Sequence, residues 1–363
     1  MWETFCRIVN EQGRWALSEI IYNAGINDAA ASTDSQSDQL KNDQSKKESS
    51  QVQKVQTESR LQTGVKIWAV GGGKGGVGKS LITANVGICL SLMGHKVVSV
   101  DLDLGGANLH TCLGVPIPTS TLSDFLNKKV KTLEEIVTPT SIPNLSIISG
   151  AQDELGMANL RSLQKNKILS HLGELDADYI LFDLGAGTAN NTLDFFITSD
   201  QGILAVLPEP TSIENTYRFI KAVFYRRLNL MEDFLEMRPI IDQAMNSKLQ
   251  GGSGGPIDLI RRIIEINPEK GFRLKAEIER FKPKLIMNQV RTQSDIDIGF
   301  SMKTICKRYF GIDLDYVGYL DYDATVWQSV KKRRPLIMEF PNSKLVPNFD
   351  KIVHRLLQFE SKT

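Results

Sequence analysis

From Val65 onward the chain alternates short apolar, β-branched runs with longer stretches of helical period. The runs are "VKIWAV", "KVVSVD", "NLSIIS", "YILFDL", "GILAVL", "KLIMNQV" and "DYVGYL". Runs apolar at nearly every position suit strands covered on both faces, and the helical lengths between them suit parallel crossovers. The pattern predicts an α/β fold built on one doubly wound, mostly parallel sheet across residues 64–363. Between about residues 229 and 282 the strand rhythm lapses into helical text such as "PIDLIRRIIEI" and "FRLKAEIERF". A mainly helical insertion is expected there. Its "GGSGG" at residues 251–255 reads equally as a natural flexible loop or an introduced replacement.

The beginning of the chain follows another pattern. Trp2, Phe5, Cys6, Val9, Ala16 and Ile20, with a second set at Ile8, Trp15 and Tyr22, give a helical period interrupted by Gly13. Residues 1–26 are therefore read as a short helical segment suited to a protein groove. Residues 27–63 are rich in Ser, Gln, Asp and Lys, and between 28 and 60 the larger apolar residues are Leu40, Val52 and Val55. So few cannot offset chain entropy by burial, which makes this stretch a disordered linker with a typical reach of roughly 30 Å.

Composition narrows the partners. Lys plus Arg number 43 against 42 for Asp plus Glu, a formal net charge of +1, so any pull toward nucleic acid or lipid must come from a local patch. Candidate patches are "YRR" at 225–227 and "KKRR" at 331–334. Cys6, Cys89, Cys112 and Cys306 are far apart, without CxxC or Cys/His spacing, which argues against zinc, an iron–sulfur cluster or a disulfide framework. Glu3 and Arg7 would fall in the apolar core of any signal peptide, and no uncharged stretch is long enough to span a bilayer. A cytoplasmic location is expected, with recruitment to a pole, membrane or nucleoid by partners left open.

The chemistry concentrates in "GGGKGGVGKS", Gly71 to Ser80. Residues 73–80 fit GxxxxGK followed by Ser, directly after a predicted strand and before the helical run "SLITANVGICLSLMG". In such a loop the backbone N–H groups of Gly75, Gly76, Val77, Gly78, Lys79, Ser80 and Leu81 face phosphate oxygens, and the positive end of the helix adds to the attraction. Lys79 is placed for the β- and γ-phosphates of ATP and Ser80 for Mg2+. Asp101 and Asp103 follow the second predicted strand; taken alone, they read as cap or turn residues.

With its early lysine, "KGGVGKS" resembles the deviant Walker A motif of the MinD/ParA family of P-loop ATPases, in the SIMIBI class. "VDLDLGGANLH", "YILFDLGAGT", "LPEPTSIENTYRFIKA", "LIMNQVRT" and "GYLDYD" resemble further family motifs in order. The resemblance implies that Lys74 reaches the nucleotide of a second subunit while Lys79 serves its own. It also implies that Asp103 orients the attacking water, and that Ser80, Asp103 and Asp183 surround magnesium while Asp101 shapes the loop. By the same resemblance Gly187 brings backbone to the γ-phosphate, Asn288 reads the adenine edge and Asp321 joins that pocket. Gly185 and Thr188 stand where the family loop more often carries proline, which leaves the loop's stiffness open.

"PEPTSIENTYRFIKA" and "VKKRRPLIMEFPNSK" resemble the FlhG/FleN branch, whose members set flagellar placement and number. The implied activity is slow, partner-stimulated ATP hydrolysis by a switch that forms a homodimer with ATP and positions or counts a cellular structure. The alternatives are a ParA-type ATPase carrying chromosome or protein cargo on the nucleoid, and an adaptor that holds nucleotide with little turnover. A regulatory protein is the expected partner, with residues 1–26 as its contact, although the DQA motif of FlhG proteins does not occur in residues 1–63. The acids Glu3, Glu11 and Glu19 against Arg7 and Arg14 suit anionic lipid poorly. The stripe Ile352, Val353, Leu356 and Leu357 resembles the family's final packed helix more than its membrane anchor. Nucleic-acid binding is the less favoured reading of the basic patches, because a near-neutral chain lacks a broad basic face.

Overall fold

A computed structural model describes residues 64–103, 106–150, 160–234, 237–246 and 255–361. The expectations for residues 1–26 and 27–63 lie outside them. The described residues build an eight-stranded sheet from β1 (Lys66–Gly71), β2 (Val97–Leu102), β3 (Thr138–Pro139), β4 (Leu145–Ile148), β5 (Tyr179–Leu184), β6 (Gln201–Val206), β7 (Lys284–Val290) and β8 (Asp315–Asp321). Its order is β3-β4-β2-β5-β1-β6-β7-β8. Every ladder is parallel except that of β3 with β4. Seven strands coincide with the seven apolar runs to within about a residue. The two-residue β3 has no apolar run to announce it and contains a proline, which suits an edge.

Alternation along the central strands sends side chains to two separate cores, as a period of two requires. Ile67 and Ala69 pack on one face with Phe182, Phe196 and Phe219. Trp68 and Val70 pack on the other with Ile82, Leu181 and Phe349. The helix after the Gly-rich loop, α1 (Lys79–Leu92), belongs to the second layer and is buried along nearly its whole length. This explains why "SLITANVGICLSLMG" is apolar on more than one face.

After β6 the chain enters a single helix of 25 residues, Pro210–Phe234. Among the described residues three more helices follow before β7, at Arg238–Asn246, Pro256–Ile266 and Pro268–Arg280. The last two form a tight hairpin. The Asn267 side chain accepts from Lys270 N–H at 3.0 Å to cap the second of them, and Pro268 follows at its first turn. A Cβ at Gly271 would lie 2.6 Å from the Ile264 Cα, so only glycine allows this approach. Arg227 ties the hairpin to the long helix by donating to the Glu277 carbonyl at 3.2 Å while its guanidinium lies over the Phe281 ring.

The final helix, Leu345–Glu360, buries Leu345, Phe349, Ile352, Val353 and Leu356. It packs on β8 and α1. Tyr179 Oη donates to Glu360 at 2.9 Å, and Gln201 Nε2 donates to the Leu356 carbonyl at 3.1 Å. The C-terminal apolar stripe is thus spent on the domain's own core. Among the described residues no helix is long and apolar enough to cross a membrane, and Cys89, Cys112 and Cys306 are free thiols.

Phe349 is completely buried between this helix and the sheet. Phe349→Ala is expected to lower stability by about 3–5 kcal/mol through lost burial and the cavity left behind. Urea unfolding should show the midpoint falling with an unchanged slope; a loss below about 1 kcal/mol would mean the helix is not integral to the core.

Candidate nucleotide site

The loop between β1 and α1 is shaped by what lies against it. A Cβ at Gly73 would sit 2.0 Å from the Asn215 carbonyl oxygen of the 25-residue helix, so that position must be glycine. Gly78 adopts a left-handed φ of 94° as the N-cap of α1, and a Cβ there would lie 2.3 Å from Asn288 Nδ2. At Gly75 and Gly76 an added Cβ would meet nothing within 4 Å, so the loop is packed on one side and open on the other. No side chain caps α1. Its leading N–H groups remain available to an anion, helped by the helix dipole. The side chains of Val77 and Leu81 are buried in the core, so these two residues can serve phosphate through their backbones alone.

Beneath the loop, parallel pairing of β2 with β5 sets Asp101 beside Asp183. Both are about 1% exposed. Burial first, and then the charge of Asp101, push the Asp183 carboxyl well above the usual carboxylate range, opposed by a hydrogen bond from Ser80 and the charge of Lys79. Thr83 Oγ1 donates to the Lys79 carbonyl at 3.0 Å and lies 3.5 Å from Asp183 Oδ1. Burial raises Asp101 to about 6, against the pull of its backbone donors. Those donors are Leu109 N–H at 2.9 Å and Asp103 N–H at 3.1 Å, together with Asn108 N–H. Asp101 therefore ties the backbone at Asp103 to the backbone at Leu109.

Two more connections close the site. A Cβ at Gly185 would lie 3.2 Å from Asp103 Oδ1, a tight approach, so the two loops expected to act as switches lie against each other. Gly187, at φ 83°, donates its N–H to the Gly72 carbonyl at 3.3 Å, which joins the second of them to the phosphate loop. Asp103 is half-buried, with its carbonyl accepting from Gly106 N–H at 3.0 Å.

Three of the remaining predicted residues have partners that the sequence did not suggest. The Asn288 amide, 4% exposed, donates to the Val77 carbonyl at 2.8 Å, and its oxygen accepts from Gln289 N–H at 2.9 Å. It is a clasp on the phosphate loop. Asp321 accepts from Asn348 at 2.9 Å and faces Lys344 at 4.0 Å. Lys74 lies 3.7 Å from Glu209 and donates to Thr211 at 3.3 Å, with its side chain 41% exposed. Thr83, Glu209 and Thr211 had not been singled out. Thr83 lies one helical turn after Lys79, a spacing that does mark it; the other two are distant in sequence and carry no such signal.

The donor set fits magnesium with a phosphate ligand. Hydroxyl and carboxylate oxygens from Ser80, Asp103 and Asp183 are hard ligands, and among the described residues no group of three or more His, Cys, Asp or Glu side chains forms a metal cluster. Mg2+ is commonly held in this way, by one or two carboxylates with phosphate and water completing its shell.

Comparison with known proteins identifies relatives of the chain. The family model described as an AAA domain matches residues 65–234. The chain is 33% identical over 255 residues to the septum site-determining protein MinD of Helicobacter pylori, covering 68% of this chain and 91% of that protein. It is 25% identical over 295 residues to the antiactivator FleN of Pseudomonas aeruginosa, covering 80% and 86%. The solved MinD of Pyrococcus horikoshii, complexed with Mg-ADP, shares the fold at a TM-score of 0.53 and 22% identity, over 82% of this chain and 98% of that one. By these relationships the chain belongs to the MinD/ParA family of P-loop ATPases.

Proposed function

We propose that the chain is an ATP-dependent dimerising switch of the FlhG/FleN type, which acts on the placement or number of flagella. The observation that carries the switch reading is the different setting of the two loop lysines. Lys79 is 8% exposed and turned toward the buried carboxylates of its own site. Lys74 is held on the surface by Glu209 and Thr211, where exchange of two weak partners for a phosphate of another subunit costs little. The flagellar reading is supported by the sequence similarity to FleN, which extends over 80% of the chain against 68% for the MinD of Helicobacter pylori.

In this reading the loop N–H groups from Gly75 to Leu81 bind the phosphates, and Ser80, Asp103 and Asp183 hold Mg2+. That ion would neutralise charge on the transferred phosphoryl group. Gly187 lies on the second loop, whose link to Gly72 gives the γ-phosphate a route to order it. Asp103 orients the attacking water. Asn288 holds the phosphate loop in shape through Val77 and, with Asp321, borders the adenine pocket. Lys331 to Arg334 are exposed, but Lys332 and Arg334 both pair with Glu339, which reduces the charge offered to DNA and disfavours the ParA-type alternative.

Three outcomes test the proposal. Asp103→Ala should keep ATP binding, lower turnover roughly 100-fold by loss of positioning, and accumulate an ATP dimer in light scattering. A wild-type chain that never turns over ATP, with or without candidate partners, would favour the adaptor. Lys74→Ala should bind nucleotide and stay monomeric with ATP; unchanged dimerisation removes its cross-subunit role. Asn288→Ala leaves the buried Val77 carbonyl without its donor, a cost of about 1–3 kcal/mol that should appear as weaker nucleotide affinity in calorimetry. Unaltered affinity would show that the clasp is dispensable.

A further inference from the structure

Beyond β8 the chain forms a short helix, Thr325–Lys332, and a turn of helix, Leu336–Glu339, that pack together. Their outer surface combines features that stability does not ask for. Trp327 is 66% exposed, and Val330 and Met338 are also exposed. Lys331 to Arg334 give four consecutive exposed cations, for which Glu339 is the near carboxylate, already shared by Lys332 and Arg334. Asp321 and Asp323 are engaged by Asn348 and Lys344 and by Thr325 and Ser343. Lys331 stands over the Trp327 ring at 4.9 Å, and Arg333 takes a left-handed φ of 51° to end the helix.

The inner side of this segment is wedged against both nucleotide-sensing elements. Leu336 and Ile337 are buried with α1, and Ile337 N–H points to Asn85 Oδ1 of that helix at 3.4 Å. Arg333 and Pro335 press on the turn that follows the first switch loop: a Cβ at Gly114 would lie 2.9 Å from Pro335 Cδ and 3.2 Å from the Arg333 carbonyl. That turn ends the helix Leu109–Cys112, whose first N–H is held by Asp101.

We propose that Trp327, Val330, Lys331, Arg333 and Met338 form a docking surface for an acidic peptide segment of a partner protein with an apolar anchor residue, and that its affinity follows the nucleotide state through the Gly114–Pro335 contact. Exposed Trp and Arg are the side chains that dominate protein interfaces, and surplus guanidinium and ammonium groups select carboxylates. Three exposed apolar side chains are too little area to hold a lipid surface, and a near-neutral chain lacks the broad basic face that a nucleic acid needs. The nucleotide dependence rests on the switch reading; the docking surface does not.

The probe is a fluorescein-labelled synthetic peptide of glutamates around a central Leu-Phe pair, followed by anisotropy on the full chain without nucleotide, with ADP and with ATP. Saturable binding to wild type, weakened about tenfold or more by Trp327→Ala and by Arg333→Gly, supports the surface. Trp327→Ala changes an exposed side chain, and Arg333→Gly keeps the left-handed turn while removing charge, so both variants should fold. Circular dichroism and nucleotide binding confirm this. Peptide affinity unchanged in both variants overturns the proposal. So does absence of peptide binding where phosphatidylglycerol vesicles or duplex DNA bind in a Trp327-dependent way. Loss of the ATP dimer in Trp327→Ala without any peptide effect also overturns it, by assigning the patch to contact between copies. Peptide affinity equal in all nucleotide states overturns the coupling while the docking surface stands.

Discussion

The register between β2 and β5 is the constraint from which the site is built. It sets two carboxylates side by side at the foot of the phosphate loop, in a place that water barely reaches. Burying like charges together is unfavourable unless something compensates. Here the compensation comes from Lys79, the Ser80 hydroxyl and three backbone donors, and burial outweighs it, so the Asp183 and Asp101 carboxyls both stay raised. A divalent cation with a phosphate ligand would supply the remaining positive charge. The sheet therefore creates, before any ligand arrives, a local preference for the ligand that the loop above it can grip.

Much of this was legible in the order of residues. The seven apolar runs are strands because their neighbours cover them on both faces, and "GKGGVGKS" lies where a strand gives way to a helix. The family resemblance pointed to Asp101, Asp103 and Asp183, which the fold brings close enough to interact. What could not be read were relations made in three dimensions between distant segments. Asn288 is 211 residues from the Val77 carbonyl that it holds, and no periodicity announces such a bond. Glu209 and Thr211 were visible within a familiar motif, but nothing local to them says that Lys74 rests there. The two-residue β3 escaped because a proline-containing edge needs no apolar alternation.

Several features join parts of the domain that move separately in a switching protein. Asp101 holds the start of the helix at Leu109, the Gly187 amide meets Gly72, and the Asp103 carboxylate covers Gly185. The contacts at Gly187 and Gly185 are single ones, whereas Asp101 accepts from more than one backbone donor. Such contacts suit an element with two arrangements better than a rigid clamp, since a ligand can shift an equilibrium only by what it contributes differently to the two states.

The absent side chain at Gly73 has a consequence at the opposite end of the molecule. It seats the phosphate loop directly on the base of the helix Pro210–Phe234, which at 1.5 Å per residue is a rod of about 37 Å. A pivot of roughly 5° at that seat would carry the far end through about 3 Å. The helical hairpin clasped by Arg227 is thus joined to a helix whose first turns rest against the phosphate loop, and any tilt of that helix would be felt by the insertion as well.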